Sequence, residues 1–466
     1  MSVSRRAVIA SAVAAAAVGR GATRAAGDDP PPKVLQLGKR TIEVNGKAAS
    51  VYGIRQPDGT NGIVTSIGRR FRVRVENEIG APSLIHWHGL TPPWQQDGVP
   101  EISGPPIAPG RSADYDFPLR FGGTFWMHSH QGLQEQLLMS APLIIHDDRD
   151  EPGRQEVVLM LHDFSFTSPD EIYAALRKPQ KMAGMSGMKM PAKPGSSPDL
   201  NDVTYDAFLA NDRTLADPEV VKVEPGGRVL LRVINGSAMS NFHLDLGALD
   251  GELIAVDGFR VKPITARRFP IAVAQRLDLR LTLPRGAAAH PVLAVLEGTA
   301  RRTGIVLAVA GAAVARIADA APTPSPALSL DLERRLRAVA PLPPRNADRV
   351  HKVDLTGDMM TYAWSINNVP WTPDVPPLPV TAGERVELVI ANKTAMPHPM
   401  HLHGHEFQVV EIDGVRFAGA VRDTVLVPPN GRVVVAFDAN NPGWWAFHCH
   451  LLYHLAAGMF TTFRYT

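Results

Sequence analysis

The chain has 466 residues, 45% of them apolar, and its 48 basic residues nearly balance 46 acidic ones. That length exceeds what one hydrophobic core organises and points to two or three globular domains. The charge balance excludes a nucleic-acid binder built on a strongly basic face.

In chain order, the first element is a sorting segment. Ser4-Arg5-Arg6-Ala7-Val8-Ile9 leads into an Ala/Val run to Val18, then Arg20, Arg24 and the small residues Ala25-Ala26. Paired arginines, a short apolar run and a small-residue end are similar to twin-arginine export signals. The run is too short to span a bilayer. The expectation is export by the twin-arginine machinery into the periplasm or medium, with residues 1–26 as the signal and no membrane span in the mature chain.

Beyond it, short alternating strands punctuated by 39 Gly and 41 Pro predict β-sandwiches with little helix. Three stretches, "SIGRRFRVRVENEIGAPSLIHWHG", "VEPGGRVLLRVINGSAMSNFHLDLG" and "VTAGERVELVIANKTAMPHPMHLHG", each run strand, Asn-containing turn and His-bearing strand. Three related domains follow, at 35–150, 151–312 and 345–466, with the Ala/Pro-rich 313–344 as a linker. A shift of 320 residues lays Gly122–Ile145 on Pro442–Tyr465, pairing His128 with His448, His130 with His450, Ser129 with Cys449, Gln134 with His454 and Met139 with Met459. The middle domain holds no such motif and reads as a spacer.

Ten of the 16 histidines fall in four clusters: His86 and His88; His128 and His130; His398, His401 and His403; His448, His450 and His454. Residues two apart on a strand share a face, so each His-x-His can aim two imidazoles at one site. Across His448-Cys449-His450 the same rule sends the sulfur to the opposite side. One strand would then serve two metal sites. Cys449, the sole cysteine, joins His454, Met459 and His398 as a two-histidine, one-cysteine set with an axial methionine, the blue-copper donor set, with zinc as the competitor. The other eight imidazoles are too many for one ion and suit a copper cluster shared by the outer domains.

In order and spacing these four motifs resemble those of the three-domain multicopper oxidases, the laccase and cuprous-oxidase family, over essentially the whole mature chain. The resemblance implies an all-β fold of three cupredoxin-like Greek-key sandwiches and four copper ions. His398, Cys449, His454 and Met459 would hold the type 1 copper. His86 and His401 would hold the type 2 copper, and His88, His128, His130, His403, His448 and His450 the type 3 pair. It further implies one-electron oxidation of a phenol, an aromatic amine or Cu(I), with electrons crossing the Cys449 backbone to His448 and His450, and reduction of O2 to water. Asp97 in "WQQDGVP" matches a family aspartate near the cluster and is the candidate for proton delivery. The glutamate that many bacterial members carry after the last histidine is here Leu455, and Asp423 in "RDTV" is expected to support the ligands from behind.

Met182, Met185, Met188 and Met190 sit in a polar, Gly-containing stretch, where soft thioethers suit Cu(I); a surface loop with incidental methionines is the plainer alternative. Met396 can line a donor path or simply pack. His146, His162, His243, His290, His351 and His405 are expected to be hydrogen-bonded or surface histidines, His405 lying beside a ligand motif. Two other functions compete with the oxidase. A copper-free scaffold of the same fold would not need all ten histidines and Cys449, and a copper nitrite reductase would leave most of the eight cluster histidines without a task.

Overall fold

Every long alternating run in the sequence pairs into one of six sheets, because each has one apolar face to bury. The structure is a computed structural model and describes residues 31–148, 152–178 and 200–466. The export-signal residues and Met182, Met185, Met188 and Met190 lie outside the described residues.

Between Lys33 and His146, a sheet ordered Lys47–Arg55, Lys33–Val44, Arg70–Asn77, Ser112–Pro118 faces one ordered Ile63–Ser66, Ser140–His146, Gly123–Ser129, Ile85–His88. Leu35, Phe71, Val73 and Phe117 from the first meet Ile85, Trp87, Phe125 and Leu143 from the second in one core. Two further sheet pairs are built from strands between Gln155 and Val309 and between Arg349 and Tyr465, and they share a continuous apolar core. Among the described residues no helix is long and apolar enough to cross a membrane.

The three copies of the strand–turn–strand repeat turn on the same side chain. Asn77, Asn235 and Asn392 are all buried. Each Nδ2 donates to two carbonyls, those of Ala81 and Ile107, of Ser240 and Ile271, and of Met396 and Val427, at 2.7–3.3 Å. Each Oδ1 accepts the backbone N–H two residues on, which closes the turn that aims the following strand.

The shift of 320 residues is visible in backbone bonds as well. Ser129 N donates to Met139 O at 2.9 Å, as Cys449 N does to Met459 O at 3.1 Å. Where the third copy has a thiol, the first has Ser129 Oγ donating to Gln134 Oε1 at 2.8 Å, with Ser83 Oγ on the same oxygen at 2.7 Å. Hydrogen bonds thus fill the first copy's counterpart of the sulfur-side site. Residues 313–344 carry the helix Asp331–Arg335 and bury Leu328, Leu330, Glu333 and Leu336. Ala338 N donates to Gly419 O and Val339 N to Arg260 O, so the stretch is bonded to strand Phe259–Ala266 and to the loop before Val421–Arg422.

Candidate metal centres

Strand Trp444–Cys449 lies between His398–Leu402 and Phe460–Tyr465, with His401 opposite His448 and Met400 opposite Cys449. The alternation of the pleat decides what each face receives.

On one face, Cys449 Sγ lies 3.5 Å from His398 Nδ1 and 3.8 Å from His454 Nδ1, and the two nitrogens are 3.1 Å apart. All three residues and Met459 are fully buried. The outer nitrogen of each histidine is occupied: His398 Nε2 donates to Thr394 Oγ1 at 2.7 Å, and His454 Nε2 to Asp202 Oδ2 at 2.8 Å. That fixes both tautomers with Nδ1 turned inward. Burial pushes the Cys449 thiol far up and holds the His398 imidazole well below its usual range. A desolvated thiol between neutral imidazoles is stable as thiolate only with a cation beside it, as in a soft-metal site. Trp364 packs over His454 with ring centroids 4.1 Å apart.

On the other face eight imidazoles converge. His86 Nε2 is 3.4 Å from His401 Nε2. His448 Nε2 is 3.3 Å from His130 Nε2 and 2.9 Å from His403 Nε2. His88 Nδ1, His128 Nε2 and His450 Nε2 are buried without a hydrogen-bond partner among the described residues, and their rings stand 5.0–5.7 Å apart. The imidazoles thus fall into a pair and two triplets. Unpartnered nitrogens this deeply buried cost about 1–3 kcal/mol each unless something accepts their lone pairs. Burial first, and neighbouring imidazoles second, hold His88, His128, His130, His403, His448 and His450 well below the usual histidine range. Neutral rings with lone pairs turned inward fit copper ions.

Six of the eight nitrogens facing away have close partners. His86 Nδ1 donates to Asp97 O and His401 Nδ1 to Asp423 O, both at 2.9 Å. His403 Nδ1 donates to Asp97 Oδ2 at 2.8 Å, and Asp97 Oδ1 lies 3.2 Å from His86 Nδ1. His448 Nδ1 donates to Cys449 O at 2.9 Å, on the peptide that carries the sulfur. His128 Nδ1 lies 2.8 Å from Glu135 Oε2, and His88 Nε2 donates to Asp423 Oδ1 at 3.0 Å.

Four partners are not visible in the sequence: Glu135, Asp202, Arg276 and Trp364. Asp202 and Arg276 come from the stretch that reads as a spacer; Asp202 accepts from His454, and Arg276 donates to Asp423, the partner of His88. Glu135 stands with Leu455 and four of the histidines around a void of about 10 Å³, so that pocket has a carboxylate although residue 455 does not supply it. Burial, with Asp163 nearby, raises the Glu135 carboxyl well above its usual range.

Met396 packs in the core, 4% exposed. His405 is bonded to Tyr465 Oη and to the His403 carbonyl, and burial lowers it to about 4. His146, His162, His243 and His351 also have protein partners outside the two centres.

Three multicopper oxidase family models match residues 37–150, 155–310 and 344–466. Multicopper oxidase MmcO of Mycobacterium tuberculosis is 32% identical over 86% of this chain and 81% of its own length. Copper resistance protein A of Escherichia coli is 27% identical over 92% of each chain. The solved laccase of Botrytis aclada superposes with a TM-score of 0.78 at 22% identity, covering 93% of this chain and 88% of that one, which shows the shared fold. The chain belongs to the multicopper oxidase family and is a copper-dependent, laccase-like oxidoreductase that uses O2 as its electron acceptor.

Proposed function

We propose that this chain is an exported oxidase that takes electrons singly from a donor beside His454 and delivers them through Cys449 to His448 and His450. The observation that carries this reading is strand Trp444–Cys449. Its sulfur meets His398 and His454, while the neighbouring His448 meets His130 and His403, and His448 Nδ1 is bonded to the Cys449 carbonyl.

When bound, copper supplies one-electron oxidation of the donor at the first site and four-electron reduction of O2 to water at the second. His398, Cys449, His454 and Met459 would hold one ion. His86 and His401 would hold another, and His88, His128 and His450, with His130, His403 and His448, the remaining pair. The grouping of inward nitrogens supports this division. Asp97 Oδ2, on His403 Nδ1, is the proposed proton-holding atom, placed between one histidine of the pair and one of a triplet. In this reading 35–150 and 345–466 share the ligands across their boundary, and 151–312 presents Asp202 and Arg276 to them. The paired arginines and apolar run of residues 1–26 support twin-arginine export to the periplasm or medium.

Cu(I) is favoured as a donor by what surrounds His454. That ring is fully buried, so no donor touches it. Its outer nitrogen ends on Asp202, which also accepts Tyr362 Oη at 2.7 Å and whose Oδ1 is buried without a hydrogen-bond partner among the described residues. The Asp202 carboxylate is fully buried as well, and its negative charge behind His454 favours a cationic donor on that side. Met360 stands 61% exposed two residues before Tyr362, and the methionines at 182–190 precede Asp202 in sequence. Phenols are the second reading, because Laccase-3 of Thanatephorus cucumeris is 26% identical over 91% of each chain. Deleting residues 181–190 is expected to lower the rate of Cu(I) oxidation severalfold and leave phenol oxidation unchanged, as followed by oxygen uptake. Equal rates with both donors would remove the methionine segment from the reading.

A further inference from the structure

We infer that Arg276, from the stretch without ligand motifs, is a positioning residue of the eight-histidine cluster: its guanidinium clamps Asp423 and thereby sets which nitrogen of His88 faces the metal. This rests on the ligand reading above. Arg276 is fully buried at the start of strand Arg276–Thr282. Its five N–H groups are all used. Nη1 donates to Asp423 Oδ1 at 2.8 Å and to Ala274 O at 3.0 Å, Nη2 donates to Asp423 Oδ2 and to Asp257 O, and Nε donates to Thr124 O at 3.2 Å. The two-pronged contact fixes the carboxylate plane as well as its charge, which a lysine cannot do.

Asp423 spends the remaining capacity of Oδ1 on His88 Nε2 at 3.0 Å and Thr424 Oγ1 at 2.8 Å. With Nε2 so occupied, His88 has only Nδ1 to offer the cluster, where His128 and His450 offer Nε2. Its ring must stand in the opposite sense from theirs, and the Arg276–Asp423 clamp determines that sense. The contact is tight enough to dictate the residue after His88. Gly89 has φ +87°, and a Cβ there would lie 2.6 Å from Arg276 Nη2 and 2.7 Å from Asp423 Oδ2. The glycine of "HWHG" makes room for the clamp.

The test compares Arg276→Met, Arg276→Lys and His88→Ala in copper-loaded full-length protein. It measures copper retained against a chelator, the electron paramagnetic resonance of the cluster, the blue absorption and the melting temperature. Arg276→Met is expected to weaken cluster copper about 10–100-fold, the usual effect of losing a partner behind a metal ligand, with the blue band intact because Cys449 faces away. If Arg276→Met does not fold, Arg276→Lys decides, since it keeps the charge and lacks the fork. Weaker cluster copper beside an unchanged blue band supports the clamp. Wild-type cluster affinity and resonance in Arg276→Lys or Arg276→Met, even with a lowered melting temperature, would overturn it. Loss in His88→Ala alone overturns the role of Arg276 only; no loss in His88→Ala overturns the ligand reading and the clamp with it.

Discussion

Cys449→Ser is expected to give a colourless protein that still holds cluster copper but oxidises donors more than about 100-fold more slowly, exceeding the upper range for losing a partner behind a metal ligand. Among the described residues, Cys449 belongs both to the donor-side site and to strand Trp444–Cys449, which carries His448 and leads into His450. The fold should survive. Ser129 occupies the equivalent position of the first copy, bonded to Gln134, so the fold accommodates a hydroxyl at this point of the repeat. Metal analysis should therefore find three ions where the parent has four. Donor oxidation at the parent rate by a colourless variant would show that electrons bypass Cys449.

Asp97→Asn is expected to slow O2 reduction about 10²–10⁴-fold, the range for losing a positioned proton donor, while leaving the blue centre and its reduction by donor intact. The side chain is 1% exposed, at the turn after the short helix Trp94–Gln96. Its Oδ2 takes the His403 Nδ1 proton and its own carbonyl takes that of His86. An asparagine keeps the carbonyl contact and, with its oxygen turned to His403, the side-chain contact too. What it loses is the basic oxygen. In air with excess donor, the variant should stand bleached, because electrons arrive and are not removed. The parent should stay blue while O2 lasts. A variant that stays blue at the parent rate would leave Asp97 with only a role in orienting His86 and His403.

What the sequence shows of the two centres is what spacing can carry. Alternation along Phe71-Arg-Val-Arg-Val-Glu76 announces a half-buried strand, and His-x-His announces two rings on one face, since both are properties of a few adjacent residues. The shift of 320 residues links Ser129, Gln134 and Met139 to Cys449, His454 and Met459, whereas Ser83, the counterpart of His398, is silent because serine carries no motif. Glu135 lies within the "HSH" repeat, but its neighbours Gln134 and Gln136 give no reason to prefer it. Asp202 and Arg276 reach their partners across 252 and 147 residues. No local pattern marks such a pair, and an aspartate or arginine in a β protein reads as solvent-facing until the fold buries it. Trp364 is hidden likewise, as one more aromatic residue on an alternating strand.

The most direct test of the coupled oxidase is the stoichiometry of O2 uptake against a one-electron donor in copper-loaded protein, with peroxide followed at the same time. Four donor equivalents consumed per O2 with no peroxide released is the result required by a cluster that His86, His88, His128, His130, His401, His403, His448 and His450 hold away from the donor side. Two equivalents per O2 with peroxide in solution, from protein with full copper content, would contradict it.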